Sequence, residues 1–151
     1  MKKKNQKGFT MIETILVLLL VGLTAMAVGS TYNADNFSSY SALQKVIGDI
    51  RYAQQMALVS GQAYGFRTLT NHSYEIYQGS PGTPATDPLN QAAFTVDLAT
   101  NYKNSVFASS TYQIEFGAGG APTLGGAADY TIQAGTTSLS FHVESSTGYL
   151  K

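Results

Sequence analysis

One stretch near the N-terminus constrains this chain more than any other. A basic leader, Met1–Gly8, carries Lys2, Lys3, Lys4 and Lys7 and runs into Thr14–Gly29, TILVLLLVGLTAMAVG, which carries no charge. About 20 predominantly apolar residues cross a bilayer as a helix, and lysines on one flank favour keeping that flank in the cytoplasm. Between leader and run stands Glu13. A carboxylate at the edge of an apolar span is costly, so it is a functional candidate by default.

Two plain readings of this segment are open. In the first it is a single-pass anchor whose Glu13 snorkels to the headgroups. In the second, Lys2–Lys7 begins an ordinary secretory signal with Thr14–Thr24 as its apolar core and Ala25-Met26-Ala27 as the cleavage site, leaving a soluble secreted domain from Val28. Neither needs a glycine before Phe9 or a glutamate four residues later. The whole pattern Gly8-Phe9-Thr10-Met11-Ile12-Glu13 closely resembles the N-terminus of type IV prepilins and pseudopilins. That resemblance implies cleavage by a prepilin peptidase between Gly8 and Phe9, N-methylation of Phe9, and a role for Glu13 in assembly. Physics supports the last point. In a helix starting at Phe9, Glu13 lies one turn along on the same face. A freed α-amine in lipid needs a counter-charge, and Glu13 is able to neutralise its own amine or a neighbouring subunit's. Choosing the neighbour fixes the axial stagger between subunits.

The 151 residues allow one domain beyond the anchor. The expected organisation is a leader over 1–8, a transmembrane and assembly helix over 9–29, and a globular extracytoplasmic domain over 30–151. With no cysteine in the chain, disulfides, thiolate chemistry and lipoprotein processing are all excluded. Without the leader, five basic residues face nine acidic ones, so the side chains sum to −4. The five are Lys45, Arg51, Arg67, Lys103 and Lys151, too scattered for a phosphate-binding surface.

After a polar stretch, Ser30–Tyr40, the apolar residues Leu43, Val46, Ile47, Ile50, Ala53, Ala57 and Leu58 recur at helical spacing. Ser39 or Ser41 is the expected cap and Gly61 the expected stop. Gln44, Asp49, Arg51 and Gln55 are expected largely on the other faces. From Tyr64 the period becomes two. Tyr64–Thr68 and Tyr74–Tyr77 form an expected hairpin around Thr70-Asn71-His72. Gly79–Asn90, with three prolines, reads as a loop. Phe94–Leu98, Ser105–Ala108, Tyr112–Phe116, Tyr130–Gln133 and Leu139–Val143 are expected strands. Gly117–Gly126 reads as turns around a very short strand, and Gly148–Leu150 as a final edge strand. Strands following helices without βαβ alternation predict an α+β fold: a long N-terminal hydrophobic helix continuing into an amphipathic helix on an antiparallel sheet.

That layout carries a second resemblance. The helix containing Asp49-Ile50-Arg51-Tyr52-Ala53-Gln54-Gln55-Met56-Ala57, closed by Ser60-Gly61-Gln62, and the ending Phe141-His142-Val143 then Thr147-Gly148-Tyr149 look like the GspH/FimT-type minor pseudopilins. MSHA-type accessory pilins share much of this pattern. Many members carry a proline where this chain has Ser30, which leaves a kink in the first helix open. No P-loop, Gly-x-Ser-x-Gly elbow or His-Glu-x-x-His motif is present. His72 and His142 read as surface residues. Asp87 and Asp129 lie in loops without a cluster of oxygen ligands.

No enzyme activity, metal or cofactor is expected. The resemblance implies a structural subunit of a type II secretion pseudopilus or type IV pilus, in the bacterial inner membrane before assembly. Its N-terminus would be cytoplasmic and its C-terminal domain extracytoplasmic. The implied partners are the prepilin peptidase, other pilin or pseudopilin subunits, the inner-membrane assembly platform and membrane lipid. The alternative is a FimT-like protein that captures DNA for transformation, but the C-terminal stretch offers only Lys151 beside Glu144, so nucleic acid is not an expected partner.

Overall fold

The computed structural model describes residues 9–29 and 34–151. The chain divides into two units, the second being Ala34–Lys151. The first contains α1, Met11–Gly29. Its 19 residues span roughly 28 Å at about 1.5 Å per residue, against a hydrocarbon core about 30 Å thick. Among the described residues no helix is by itself long and apolar enough to cross a membrane. Every described side chain of α1, from Met11 to Met26, is exposed. Gly8 and the join at 30–33, on which the cleavage site and the continuity of the two helices depend, lie outside the described residues.

The second unit opens with α2, Ala34–Ser60. Ala42, Val46, Ile50, Ala53 and Ala57 recur at helical spacing and are fully buried on one face. The three alanines let the sheets approach closely. Two expectations need correcting. The helix starts before Ser39 and Ser41, so neither is its cap; Ser38 instead donates to the Lys103 carbonyl at 3.0 Å. Serine signals a cap only where no tertiary partner holds the helix on past it. Leu58 is 53% exposed, because Ala57 takes the inward position at the end of the face.

Eight strands follow: β1 Tyr64–Thr68, β2 Ser73–Gln78, β3 Thr95–Asp97, β4 Ser105–Phe107, β5 Gln113–Phe116, β6 Pro122–Leu124, β7 Ala128–Ala134 and β8 Thr137–Val143. All pairings between them are antiparallel. They make two sheets, ordered β3-β2-β1-β5-β6 and β4-β7-β8, within the expected antiparallel β domain. α2 packs against both. The expected hairpin is present, with Tyr64 opposite Gln78 and Thr68 opposite Tyr74. Gly65 is required in β1: a Cβ there would run into the Tyr77 ring and the Ile114 carbonyl. The expected strand Phe94–Leu98 ends early, because Leu98 opens a short helix α3, Leu98–Asn101, capped by Asp97. Gly148–Leu150 contributes a single bridge, Leu150 to Val143, rather than a strand. The loop 79–90 folds back on β2 through a bridge from Pro84 to Tyr77, and a second bridge joins Thr86 to Ala93. Buried Glu75 holds it by accepting from the Gly82 amide at 2.9 Å while pairing with Arg67 at 2.6 Å.

The core joins α2 to the inner faces of both sheets through Phe66, Tyr74, Ile76, Ile114, Phe116, Ile132 and Val143. Phe107 stands edge-on to Tyr74 at 5.8 Å, and Tyr130 stacks on Phe141 at 5.3 Å. Gln54 fastens the far end. Its amide donates to the carbonyls of Gly120 at 2.7 Å and Thr147 at 2.8 Å. Gly148, at φ 70, lies so close to Gln54 and Phe116 that a Cβ would clash with both. The helix motif and the C-terminal motif of the sequence meet at this point.

Candidate functional site

The start of α1 is built from four consecutive residues. Thr10 precedes the first helical residue, and its hydroxyl accepts from the Glu13 amide at 3.3 Å. Its carbonyl accepts from the Thr14 amide at 3.2 Å and the Thr14 hydroxyl at 3.3 Å. The first free N–H groups of a helix need such partners. Thr10-x-x-Glu13 is thus one half of a capping box, a signal the sequence displays but that the search for charge alone passes over. Glu13 sits in the first turn, where the helix dipole favours a negative charge. Its side chain is exposed, and among the described residues its carboxylate has no ion-pair partner. Phe9 is 80% exposed. The arrangement presents a carboxylate in the first turn of a helix whose described side chains are exposed and mostly apolar.

Several charges of the globular unit are paired within it. Asp49, expected on an outer face, is buried instead. It accepts from the Tyr74 hydroxyl at 2.6 Å, while Lys45, one turn back, donates to both its oxygens at 2.6 Å. Spacing explains the error: 46, 49, 50 and 53 share one helical face. Burial, reinforced by the Asp49 charge, drives the Tyr74 phenol far above its ordinary range. Burial likewise pushes Tyr77 up to about 12, opposed by the Gln113 amide and helped by Glu115, and Tyr130 up to about 12, with help from Tyr112.

The remaining titratable candidates are dispersed. His72 faces Asp97 at 3.2 Å, and His142 faces Asp129 at 2.7 Å. His142 is half-buried rather than on an open face, because Lys151 pairs with its backbone. Desolvation raises the Asp97 carboxyl, but the amides of Ala99 and Thr100 and the His72 ring outweigh it and hold the group below its usual range. Asp87 accepts from the Leu89 amide at 2.8 Å. It borders an open cleft of about 400 Å³ with Lys45, Asn90, Asn101 and Tyr102. The polar groups there serve their own loops: Asn90 accepts from Ala92, and Asn101 donates to Asp97.

Comparison with known proteins bears on both units. The family model described as the prokaryotic N-terminal methylation motif matches residues 3–29. The type II secretion system protein H of Klebsiella pneumoniae is 36% identical over 62 residues, 40% of this chain. That match spans 36% of the relative's own length. Two crystal forms of the type IV minor pilin FimU of Pseudomonas aeruginosa share the fold. One superposes with a TM-score of 0.54 over 77% of this chain and 88% of FimU, the other with 0.51 over 74% and 90%, each at 16% identity. Motif, segment and fold together support the type IV pilin and pseudopilin superfamily. The fold is α+β, with N-terminal helices followed by an antiparallel β domain like that of FimU.

Proposed function

We propose that this chain is a minor pilin or pseudopilin, a structural and non-catalytic subunit of a type II secretion pseudopilus or a type IV pilus. The observation that carries the reading is Glu13, capped by Thr10 at the head of a helix whose described side chains are all exposed and almost all apolar. A helix apolar all round requires lipid or other helices around it.

In this reading a prepilin peptidase cuts between Gly8 and Phe9, and the new N-terminus is methylated. Phe9–Gly29 then comprises 21 residues, of which the 19 of α1 give roughly 28 Å of helix at about 1.5 Å per residue, close to the hydrocarbon thickness of about 30 Å and able to anchor the subunit in the inner membrane. The leader lysines keep the N-terminus cytoplasmic and the domain extracytoplasmic. The assembly platform then moves the helix from lipid into a bundle of neighbours. There Glu13 meets the amine of an adjacent subunit, an attraction strong in low dielectric and lost by any other axial register. Three of the domain's five cations, Lys45, Arg67 and Lys151, are each paired with a carboxylate, within 2.6, 2.6 and 3.4 Å, which supports a role among proteins rather than on nucleic acid.

Mass spectrometry of the N-terminal peptide from isolated membranes tests the reading. The expected terminus is methylated Phe9. A terminus at Val28 would establish an ordinary signal peptide and refute it.

A further inference from the structure

We propose that the end of the globular unit where α2 begins, carrying Phe37, Tyr40 and Lys103, rests on the lipid headgroups while the subunit is stored in the membrane. This rests on the membrane-anchored reading above and names a second, peripheral contact with the same bilayer.

The fold gathers this end from three parts of the chain. The Ser38 hydroxyl donates to the Lys103 carbonyl at 3.0 Å and lies 3.3 Å from the Ser105 hydroxyl. Ser105 pairs with Ala134, and Ala134 with Thr137, so the β7–β8 turn belongs here too. Beside these groups Phe37 is 77% exposed, and Tyr40, one turn along α2, is 57% exposed. Lys103 is exposed, and among the described residues its ammonium has no carboxylate partner. Residues 36–44, 98–106 and 134–141 carry no other charge, in a domain where acids outnumber bases. Of the acids next to these stretches, Asp97 is taken up by the α3 cap and by His72 at 3.2 Å. Asp35 stands two residues before Phe37, about 160° around the helix from it.

The anchor decides what covers this end. Only residues 30–36 separate Gly29, where the apolar helix stops, from Phe37. At no more than about 3.6 Å per residue, that segment holds Phe37 within about 29 Å of the helix end. An anchored subunit therefore brings this end to the bilayer surface. The residue types match that surface. Aromatic rings sit at headgroup level, and a lysine on its flexible stem reaches anionic headgroups. An end without acids, carrying one cation, is drawn to such a surface, while the acid-bearing rest of the domain is repelled. A single lysine is too little for nucleic acid, whose binding needs several phosphates neutralised.

The chain has no tryptophan, so Phe37→Trp, Tyr40→Trp and Tyr149→Trp each supply a single fluorophore of that kind. All three positions are exposed, so the variants should keep the domain's melting temperature. The full-length chain is reconstituted into vesicles of phosphatidylcholine brominated near the headgroup, with or without phosphatidylglycerol. Bromine quenching should be at least threefold stronger for Phe37→Trp and Tyr40→Trp than for Tyr149→Trp. Adding Lys103→Glu to Phe37→Trp should lower quenching roughly twofold in the vesicles with phosphatidylglycerol and leave it unchanged in those without. Equal quenching at positions 37 and 149, no effect of Lys103→Glu, or the same loss in both kinds of vesicle would overturn the proposal. If alkaline carbonate strips the wild-type chain from the vesicles, the anchored reading fails and takes this contact with it. If the chain stays and position 37 is not quenched, only this contact fails.

Discussion

The two helices of this chain use apolar residues in opposite ways. In α1, Leu16, Leu18 and Leu20 are 59%, 66% and 59% exposed; in α2, Val46, Ile50 and Ala53 are fully buried. Transfer of a leucine or isoleucine side chain out of water is worth about 1.5–3 kcal/mol. α2 gains that from its own sheets. Under the proposed function α1 gains it outside the chain, from lipid or from other subunits. A helix stabilised by its own domain is expected to fail when its core contacts are cut; a helix stabilised by others is expected to fail only in assembly.

The sharpest break of this contrast pairs Ile50→Ala with Leu18→Ala. Ile50→Ala should cost the domain about 2–5 kcal/mol, a large share of a typical total of about 5–15. Leu18→Ala should leave domain unfolding unchanged and lower fibre incorporation. Thermal unfolding of the full-length protein in detergent reads the first effect. Equal shifts in the two variants would contradict the division of labour.

Asp49→Ala comes next, at about 1–3 kcal/mol, because the buried Tyr74 hydroxyl loses its acceptor. Tyr74→Phe in the same chain should restore part of that loss, a coupling visible in a double-mutant cycle. Additive costs would mean that the pair contributes nothing beyond its packing. Gln54→Ala should cost less, about 1 kcal/mol, and should speed amide exchange around Gly120 and Gly148 without affecting β1 and β2. Uniform loss of protection would deny Gln54 its local fastening role.

The smallest effect at neutral pH belongs to the buried tyrosines. Tyr77 and Tyr130 are raised from the ordinary 10.0 to about 12, so the folded state holds their protons more tightly than the unfolded chain. Their contribution is therefore complete below pH 10 and lost as pH rises towards 12. Ultraviolet titration should show Tyr77 and Tyr130 ionising only as the domain unfolds. A single phase at the ordinary phenol value would refute their burial.

Much of this contrast is legible in the residues. The face Val46–Ala57 follows from its 3.6-residue period, and the β1–β2 hairpin from alternation broken at Thr70-Asn71-His72. Asp49 is not legible, since its burial depends on Tyr74 arriving from 25 residues along the chain. The start of α2 is hidden for a related reason: Ser38 bonds a carbonyl 65 residues away, and no local signal reports it. Division into two sheets also escapes the sequence, because alternation marks a strand without marking its neighbour. At the candidate site the position of Glu13 is evident from its isolation in an apolar run. The Thr10 cap is written in the same four residues.

The claim that α1 is completed by a neighbour is tested most directly through Glu13→Ala, scored by membrane level and fibre incorporation of the full-length chain. The substitution makes the helix more apolar, so insertion and processing should match wild type. Incorporation should nevertheless fall by roughly tenfold or more, because the neighbour's amine loses its counter-charge in low dielectric. A Glu13→Ala subunit that enters the fibre as readily as wild type would contradict the account.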